Sequence, residues 1–185
     1  MTIPAGALRF NSDSGKLEYY NGEVWWQIDN FSADNATGGA RGVFGGGYVA
    51  PLSVNTIDFI TISSTGNATD FGDLTQVRYG PGACSSGTRG VFGGGSTPTS
   101  VNTIDFITIS STGNAVDFGD LTQARRQFSG CSSSTRGVFG GGFVPGVVNT
   151  IDFITISSTG NASDFGDLTQ ARYGLAACSS STRGV

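Results

Sequence analysis

Histidine is absent from the 185 residues of the chain, and this absence excludes several kinds of enzyme. Ser-His-Asp and Cys-His catalysis both need an imidazole as general base, and many zinc sites use histidine as a ligand. We therefore expect no enzyme of these classes and no histidine-containing metal centre.

Basic residues and long apolar runs are also scarce. Fourteen aspartates and glutamates outnumber ten lysines and arginines, Lys16 is the single lysine, and the sequence pI is about 4.5. Because nucleic acids attract proteins through a basic electrostatic field, we expect no nucleic acid as a partner. No apolar run approaches the ~18 residues of a membrane span, so we expect no membrane insertion. Residues Met1–Pro4 do not resemble the start of a signal peptide.

Glycine, in contrast, is abundant: the chain has 30 glycines, while 37% of its residues are hydrophobic and 11% are aromatic. Leu, Ala, Glu and Lys do not run together for long enough to sustain helices. Thr, Ile, Val and Phe instead alternate with residues that form turns. This composition predicts an all-β fold with short strands and tight turns.

After about residue 31 the sequence repeats with a period of 47 residues. Each copy contains Arg-Gly-Val-Phe-Gly-Gly-Gly, then Asn-Thr-Ile-Asp-Phe-Ile-Thr-Ile, then Asp-Phe-Gly-Asp-Leu-Thr-Gln. In the first copy these segments begin at Arg41, Asn55 and Asp70, and a fourth Arg-Gly-Val lies at Arg183–Val185. A period in the forties is typical of four-stranded propeller blades.

The three cysteines, Cys84, Cys131 and Cys178, recur with this same spacing of 47 residues. An odd number of evenly spaced cysteines marks the repeat and does not indicate a disulfide framework. Each cysteine is therefore predicted to be a small buried apolar side chain.

Four strands, named A to D in chain order, are predicted for each repeat. They are represented by Tyr173–Ser180 for strand A, Arg136–Phe139 for strand B, Thr150–Ser157 for strand C and Ser163–Leu168 for strand D. Apolar residues of strand C point to both faces of the sheet. We therefore expect neighbouring sheets to cover both faces.

Several motifs recur in the order that kelch units use. An arginine leads strand A, as in Ala171–Cys178, strand B ends in the diglycine of Val138–Gly142, and a Thr-Gly-Asn turn follows strand C. Over residues 41–185 the chain therefore resembles a kelch-type β-propeller. The tryptophan that kelch units place after this turn is replaced by alanine at Ala68, Ala115 and Ala162.

The resemblance implies kelch-like four-stranded β-propeller repeats over residues 32–185, with the propeller incomplete in this chain. Three complete units and a fraction are fewer than the roughly four to eight blades of a closed propeller. We expect further repeats in a longer chain. The alternatives are completion by another subunit and continued stacking as an open solenoid.

Residues 1–31 differ from the repeats. Strands are predicted at Leu8–Phe10, Lys16–Tyr20 and Val24–Ile28, joined by turns at Asn11–Gly15 and Asn21-Gly22 into a short N-terminal β-meander. So small a sheet cannot bury its own aromatic side chains, so attachment or oligomerisation is expected to cover them. The expected interface residues are Tyr19, Tyr20, Trp25 and Trp26.

Three short motifs of this module are Arg9-Phe10-Asn11, Leu17–Gly22 and Trp25-Trp26. With them the module resembles segments of fibre and adhesin proteins of tailed bacteriophages, notably those of marine cyanobacteria. The resemblance implies a virion location, docking to other virion proteins through this module, and a homo-oligomer, which in such fibres is commonly a trimer.

Two repeated features are candidates for a reactive site: the aspartate pairs and the triple glycines. Asp70 with Asp73, and their copies, could hold a hard cation or act as a glycosidase acid/base pair. Aspartate pairs are common in turns, however, and a catalytic centre usually occurs once. The triple glycines precede no Gly-Lys-Ser/Thr and no helix, so they do not predict a phosphate site. We expect no metal, no cofactor and no catalytic residues.

The repeated arginines are expected to pair with an aspartate between blades, and the alternative is ligand binding. These arginines are Arg78, Arg125 and Arg172.

Two stretches differ between the copies: the loop between strands B and C, and the connection from strand D to the next strand A. In an up-and-down blade both emerge at the same end. We hypothesise a recognition surface there, because aromatic residues and arginine dominate binding energy. The alternative is neutral variation of the loops. The expected anchors are Tyr48, Tyr79, Arg126, Phe128 and Phe143.

Together these features predict a phage virion protein that is not an enzyme, a tail fibre or appendage that binds a host-surface glycan or protein through several weak sites. One alternative is a capsid or tail decoration or connector protein without receptor binding. A second is a carbohydrate-active bacterial propeller protein.

Overall fold

A computed structural model describes residues 3–12, 16–27, 41–180 and 182–185. The chain divides into two compact units, Met1–Ala36 and Thr37–Val185. Over the described ranges the regular structure consists of strands, which confirms the all-β prediction. No helix in these ranges has the length and apolar character needed to cross a membrane.

The first unit contains a three-stranded antiparallel meander. Its strands are β1 (Leu8–Asn11), β2 (Lys16–Tyr20) and β3 (Trp25–Gln27), in the order β1-β2-β3. The side chain of Asn21 accepts backbone hydrogen bonds from Glu23 at 2.9 Å and Val24 at 2.8 Å. This turn confirms the predicted hairpin. Ile28 and much of the predicted turn at residues 11–15 lie outside the described residues.

The second unit contains three successive antiparallel sheets, which we name R1, R2 and R3. R1 consists of β4 (Arg41–Val49), β5 (Leu52–Thr61) and β6 (Thr69–Asp73). R2 consists of β7 (Gly82–Ser85), β8 (Arg89–Gly93), β11 (Thr103–Thr108) and β12 (Val116–Asp120). R3 consists of β13 (Ser129–Ser132), β14 (Arg136–Gly140), β17 (Thr150–Thr155) and β18 (Ser163–Asp167).

Neighbouring strands in each sheet follow one another along the repeat, so R2 and R3 have the predicted order A-B-C-D. Two-stranded ribbons lie between strands B and C. They pair β9 (Ser96–Thr97) with β10 (Thr99–Ser100), and β15 (Phe143–Val144) with β16 (Gly146–Val147).

The predicted strand A begins too early. Over 173–180 the only described strand pairing is the bridge between Ser179 and Gly184, and in R3 the equivalent strand starts at Ser129. The preceding residue positions turn instead, because Gly80, Gln127 and Gly174 have left-handed φ angles of 64°, 56° and 67°. Left-handed backbone cannot continue a strand.

The core lies between successive sheets. Ile57 and Phe71 of R1 pack with Phe92 and Ile107 of R2 in one buried cluster. The second cluster lies between R2 and R3 and contains Val91, Ile104, Phe118, Phe139 and Ile154. Strand C of R2 thus has apolar side chains on both faces because R1 covers one face and R3 covers the other, as predicted.

Strand D of R1 and strand D of R2 are also paired to the following repeat through backbone hydrogen bonds. In R1, the carbonyl oxygens of Phe71 and Asp73 accept bonds from Gly113 at 2.7 Å and Ala115 at 2.8 Å. The same two bonds recur 47 residues later, from Gly160 to Phe118 and from Ala162 to Asp120. The turn after strand C of one repeat therefore covers the free edge of strand D in the preceding repeat.

The cysteines differ in burial although they occupy equivalent positions. Cys84 is buried against Gly137 of R3, Cys131 is half-buried near Gly184, and Cys178 is exposed. The prediction of a buried side chain is thus correct for Cys84 and wrong for Cys178. Burial here depends on a following repeat, and among the described residues none covers Cys178.

Alkylation should reveal this difference. Burial raises the pKa of the Cys84 thiol to about 12 and also raises the pKa of Cys131, so little reactive thiolate forms at either site near pH 8. In native protein at concentrations where it is monomeric, iodoacetamide at pH 8 should modify Cys178 first and Cys84 last, as measured by peptide mass spectrometry. Denatured protein is the control, and equal native rates would contradict the burial.

Candidate binding surface

The two variable stretches meet at one end of the sheets. The connection after R1 pairs with the B–C ribbon of R2, because Tyr79 and Ser96 exchange backbone hydrogen bonds of 3.2 and 3.0 Å. Arg126 and Phe143 make the equivalent exchange between R2 and R3, at 3.1 and 2.9 Å. The prediction that both connections emerge at the same end is confirmed.

Beside these pairings five side chains form a continuous row, which we name the recognition row. Its members are Tyr48, Tyr79, Arg126, Phe143 and Tyr173. The rings of Tyr48 and Tyr79 have centroids 5.7 Å apart, and the Arg126 guanidinium carbon lies 6.0 Å from the Tyr79 ring centroid. That carbon lies 4.9 Å from the Phe143 centroid, and the Phe143 and Tyr173 centroids are 5.7 Å apart.

Every member of the recognition row is at least partly accessible. Tyr48 and Tyr173 are exposed, while the other three are half-buried. The row contains one cation, and Arg126 has no ion pair among the described residues. The Nη1 atom of Arg126 lies 3.5 Å from the hydroxyl oxygen of Ser96, which is buried. Backbone hydrogen bonds fix the main chain at Tyr79, Arg126 and Phe143, so a ligand would order little additional backbone on binding.

Phe128 is predicted to lie in this surface, but the structure places it in the core. Its side chain is 5% exposed, and its ring centroid lies 5.9 Å from that of Phe139. It fills space beside Gly94, where an added Cβ would lie 2.7 Å from the Phe128 ring. The sequence prediction is wrong here because a variable position can also be a packing position between repeats.

Tyr173 is not among the predicted anchors, although it follows R3 as Tyr79 follows R1. This shared position in the repeat is the signal that could have identified it. Gln127, next to Arg126, has a φ of 56° where the other copies have glycine. A left-handed non-glycine residue costs roughly 1–2 kcal/mol, so Gln127 is held there by its surroundings. Its backbone N–H donates to Gly80 O at 2.8 Å.

Arg78 and Arg125 have structural roles and do not contribute to the surface. The Nη2 atom of Arg78 in R1 donates to the Asp105 carboxylate of R2 at 2.7 Å, and both side chains are fully buried. Arg125 and Asp152 repeat this pair at 3.0 Å. The predicted pairing between repeats is confirmed for these two arginines, whereas Arg172 is exposed.

The environment of the buried pairs explains why they persist. Burial lowers the pKa of each guanidinium, and the facing carboxylate opposes this shift. The Arg78 guanidinium also donates hydrogen bonds to the carbonyl oxygens of Thr103 at 2.9 Å and Phe92 at 3.1 Å. Thr75 donates its backbone N–H and hydroxyl to Asp105 at 3.2 and 2.7 Å. Each pair therefore joins two sheets at a specific position.

The repeated aspartates and glycines fit turn and strand roles. Asp70 lies directly opposite Asp58 across β5 and β6. In the described part of the chain, no three His, Cys, Asp or Glu side chains are grouped so that they could hold one metal ion. Gly46 and Gly47 have φ angles of 69° and 140°, and a Cβ on Gly46 would lie 2.7 Å from Arg78 O. These glycines allow a turn and a close approach of backbones.

The N-terminal sheet separates the four predicted interface residues onto two faces. Tyr20 and Trp25 pack together with centroids 5.3 Å apart, and Arg9 lies over Trp25 at 4.1 Å. Tyr19 and Trp26 are opposite each other on the other face, which is exposed and apolar. That face consists of Leu8, Phe10, Leu17, Tyr19 and Trp26.

Glu18 connects the motif residues on the face that carries Tyr20 and Trp25. Its carboxylate accepts hydrogen bonds from Arg9 at 2.7 Å and Asn11 at 2.9 Å. The bonds from Asn11 and Arg9 lower the pKa of Glu18. The Arg-Phe-Asn and Leu-Glu motifs thus form one polar cluster across β1 and β2.

Comparison with known proteins gives no family assignment: no protein-family model matches the chain, and a search of curated proteins finds no similar sequence. Function is therefore inferred from the recognition row and from the sequence motifs.

Proposed function

We propose that the chain is a recognition protein of a tailed-bacteriophage appendage, and that the recognition row binds a glycan or protein on the host surface. The observation that carries this proposal is the alignment of four aromatic side chains and Arg126 across three repeats. Aromatic residues and arginine supply most of the binding energy at interfaces. The assignment to a phage appendage comes from the resemblance of residues 1–31 to segments of fibre and adhesin proteins of tailed bacteriophages.

The chemistry of the row favours binding over catalysis. Aromatic rings offer apolar contact area with little loss of conformational entropy, and Arg126 can donate several hydrogen bonds to hydroxyl or carboxylate oxygens. A general acid and base would need a pair of titratable groups with suitable pKa values. No carboxylate belongs to the recognition row.

We further propose that R1, R2 and R3 are blades of a kelch-like β-propeller. Support comes from the A-B-C-D strand order of R2 and R3, from packing between consecutive sheets, and from the diglycine after strand B. The alanines that replace the kelch tryptophan fit this arrangement. Ala115 is buried between R1 and R2 and donates its N–H to Asp73.

The N-terminal module would provide attachment to other virion proteins or oligomerisation, with a trimer as the expected state. Support comes from the exposed apolar face that contains Tyr19 and Trp26. A contiguous apolar face on a small sheet is typical of an interaction surface. Tyr20 and Trp25 would support this face from behind.

Binding of the full-length, fluorescently labelled protein to intact cells from a panel of bacterial hosts tests the main proposal. Arg126→Ala and Phe143→Ala should each weaken binding by about 30-fold or more, because each removes a central anchor worth roughly 2 kcal/mol. Val116→Ala is a matched control, since it shortens an exposed apolar side chain outside the row. Unchanged binding of both row variants would overturn the proposal.

Further measurements separate glycan from protein receptors and test the rival functions. If the receptor is a glycan, the protein should still bind cells treated with protease and should bind purified surface polysaccharide. Shortening of that polysaccharide by the protein would instead favour a carbohydrate-active enzyme. If labelled protein decorates virions while binding no host in the panel, the decoration or connector function is favoured.

A further inference from the structure

The two outer faces of the repeat array have the same residues as its buried interfaces. R2 contributes Phe92 to its interface with R1, and R3 contributes Phe139 to its interface with R2; these rings are 4% and 0% exposed. The equivalent residue of R1 is Phe44, which is 60% exposed. We name this outer side of R1, with Phe44 and Asp58, the leading face.

The opposite side of R3 is open in the same way. Phe71 and Phe118 are each 2% exposed where the next repeat covers them, but the equivalent Phe165 is 52% exposed. Arg172 is partly accessible where Arg78 and Arg125 are fully buried. We name this side, with Gly140, Phe165, Leu168 and Arg172, the trailing face. Its residues line a cleft of about 640 Å³.

We infer that the leading face of a second copy of this chain binds the trailing face of the first. The partner is defined by charge and shape. Asp105 and Asp152 each bind an arginine of the preceding repeat. Asp58 occupies the equivalent position in R1, and no arginine of the described ranges pairs with it. Arg172 has the complementary charge. The new interface would therefore contain an Arg172–Asp58 pair.

The aromatic contacts are complementary as well. The Phe92 ring lies against Gly45, where an added Cβ would be 2.9 Å from it, and Phe139 lies against Gly93. Gly140 is the next glycine of this series. The nearest atoms to a Cβ added there would belong to Leu168 and Ile151 of its own repeat, at 3.7 and 3.8 Å, so no ring of a following repeat fills the place that Phe44 would take.

The backbone offers a matching register. Cys178 and Val185 now exchange hydrogen bonds of 2.9 and 2.8 Å beside the cleft. Arg183–Val185 has the same sequence as Arg41–Val43 at the start of β4. In the described residues β4 pairs only with β5. Strand β4 of the second copy can thus replace Arg183–Val185 beside Cys178 and bring its whole sheet onto the trailing face.

This association is head-to-tail, so it closes into a ring or continues as a filament. The 185-residue chain with Trp26→Asp, which disables the exposed apolar face of the N-terminal module, should still form assemblies heavier than its own 19.0 kDa in sedimentation velocity. The variants below are made in this background. Asp58→Arg places like charges together, and Arg172→Ala leaves Asp58 without its partner. Each should weaken self-association by more than about 100-fold, since breaking a buried pair is strongly unfavourable. Leu52→Asp, an exposed position outside both faces, should leave it unchanged.

A mixture of the two variants makes the test specific. Arg172 of the Asp58→Arg chain can still bind Asp58 of the Arg172→Ala chain, but the reverse interface is lost. In the Trp26→Asp background, an equimolar mixture should therefore form one-to-one pairs and nothing larger. A monomeric Trp26→Asp chain, variants that associate like that chain through another surface, or a mixture that fails to pair would each overturn the inference. Circular dichroism checks that both variants are folded.

Discussion

Replacement of Asp152 by alanine should lower the free energy of unfolding by about 3–5 kcal/mol, as expected when one partner of a buried ion pair is removed. The Asp152 carboxylate accepts bonds from Arg125 at 3.0 Å and from the Thr122 backbone N–H and hydroxyl at 3.2 and 2.6 Å. Without it, a fully buried guanidinium has no counter-charge, and its Nε already has no hydrogen-bond partner. Urea denaturation followed by far-UV circular dichroism measures the change.

The same substitution in R1 is a matched control. Asp58 occupies the equivalent position in strand C but has no buried arginine beside it within the described residues. At concentrations where the protein is monomeric, Asp58→Ala should change stability by less than about 1 kcal/mol, as is usual for substitutions away from buried networks. Equal losses at the two positions would show that the ion pair is not what joins the repeats.

Alanine at Gly119 should be nearly as harmful, with a loss of about 2–5 kcal/mol from backbone strain and overpacking together. Gly119 has a φ of 141°, and an added Cβ would lie 2.5 Å from the carbonyl oxygen of Gly160 in the next repeat. That turn cannot retreat without breaking the 2.7 Å hydrogen bond from Gly160 N to Phe118 O.

The same substitution at Gly166 separates the cost of backbone strain from the cost of overpacking. Gly166 is the same position in R3 and has a φ of 133°, but a Cβ added there would have no atom within 4 Å. Gly166→Ala should therefore cost only the strain of about 1–2 kcal/mol. The difference between the two variants, measured by urea denaturation, gives the contribution of close approach between repeats. A difference near zero would mean that the turn moves freely.

Strands B, C and D can be predicted because their residues occur three times with a clear apolar pattern. The sequence predicts Arg136–Phe139 for a strand that ends at Gly140, and Ser163–Leu168 for one that ends at Asp167. The start of strand A cannot be predicted in this way. It depends on the left-handed turn at Gln127, a residue type that seldom adopts this backbone.

The recognition row is only partly predictable. Variation between copies identifies Tyr48, Tyr79, Arg126 and Phe143, because the chain varies where its two connections meet. Variation does not separate exposed from buried positions, so it includes Phe128 in the predicted surface. Which way a loop side chain points is decided by packing against the next repeat, and Phe128 points towards Phe139.

The sequence by itself determined the all-β class, the 47-residue unit, the order of its strands and the pairing of its arginines with aspartates. These properties are local or repeated, so they are visible in spacing and alternation. Only the tertiary structure decided which copy of each repeated residue is buried. Cys84, Phe71 and Arg78 are covered by a following repeat, while their copies Cys178, Phe165 and Arg172 remain accessible. Identical residues differ in this way because burial is a property of neighbours in space.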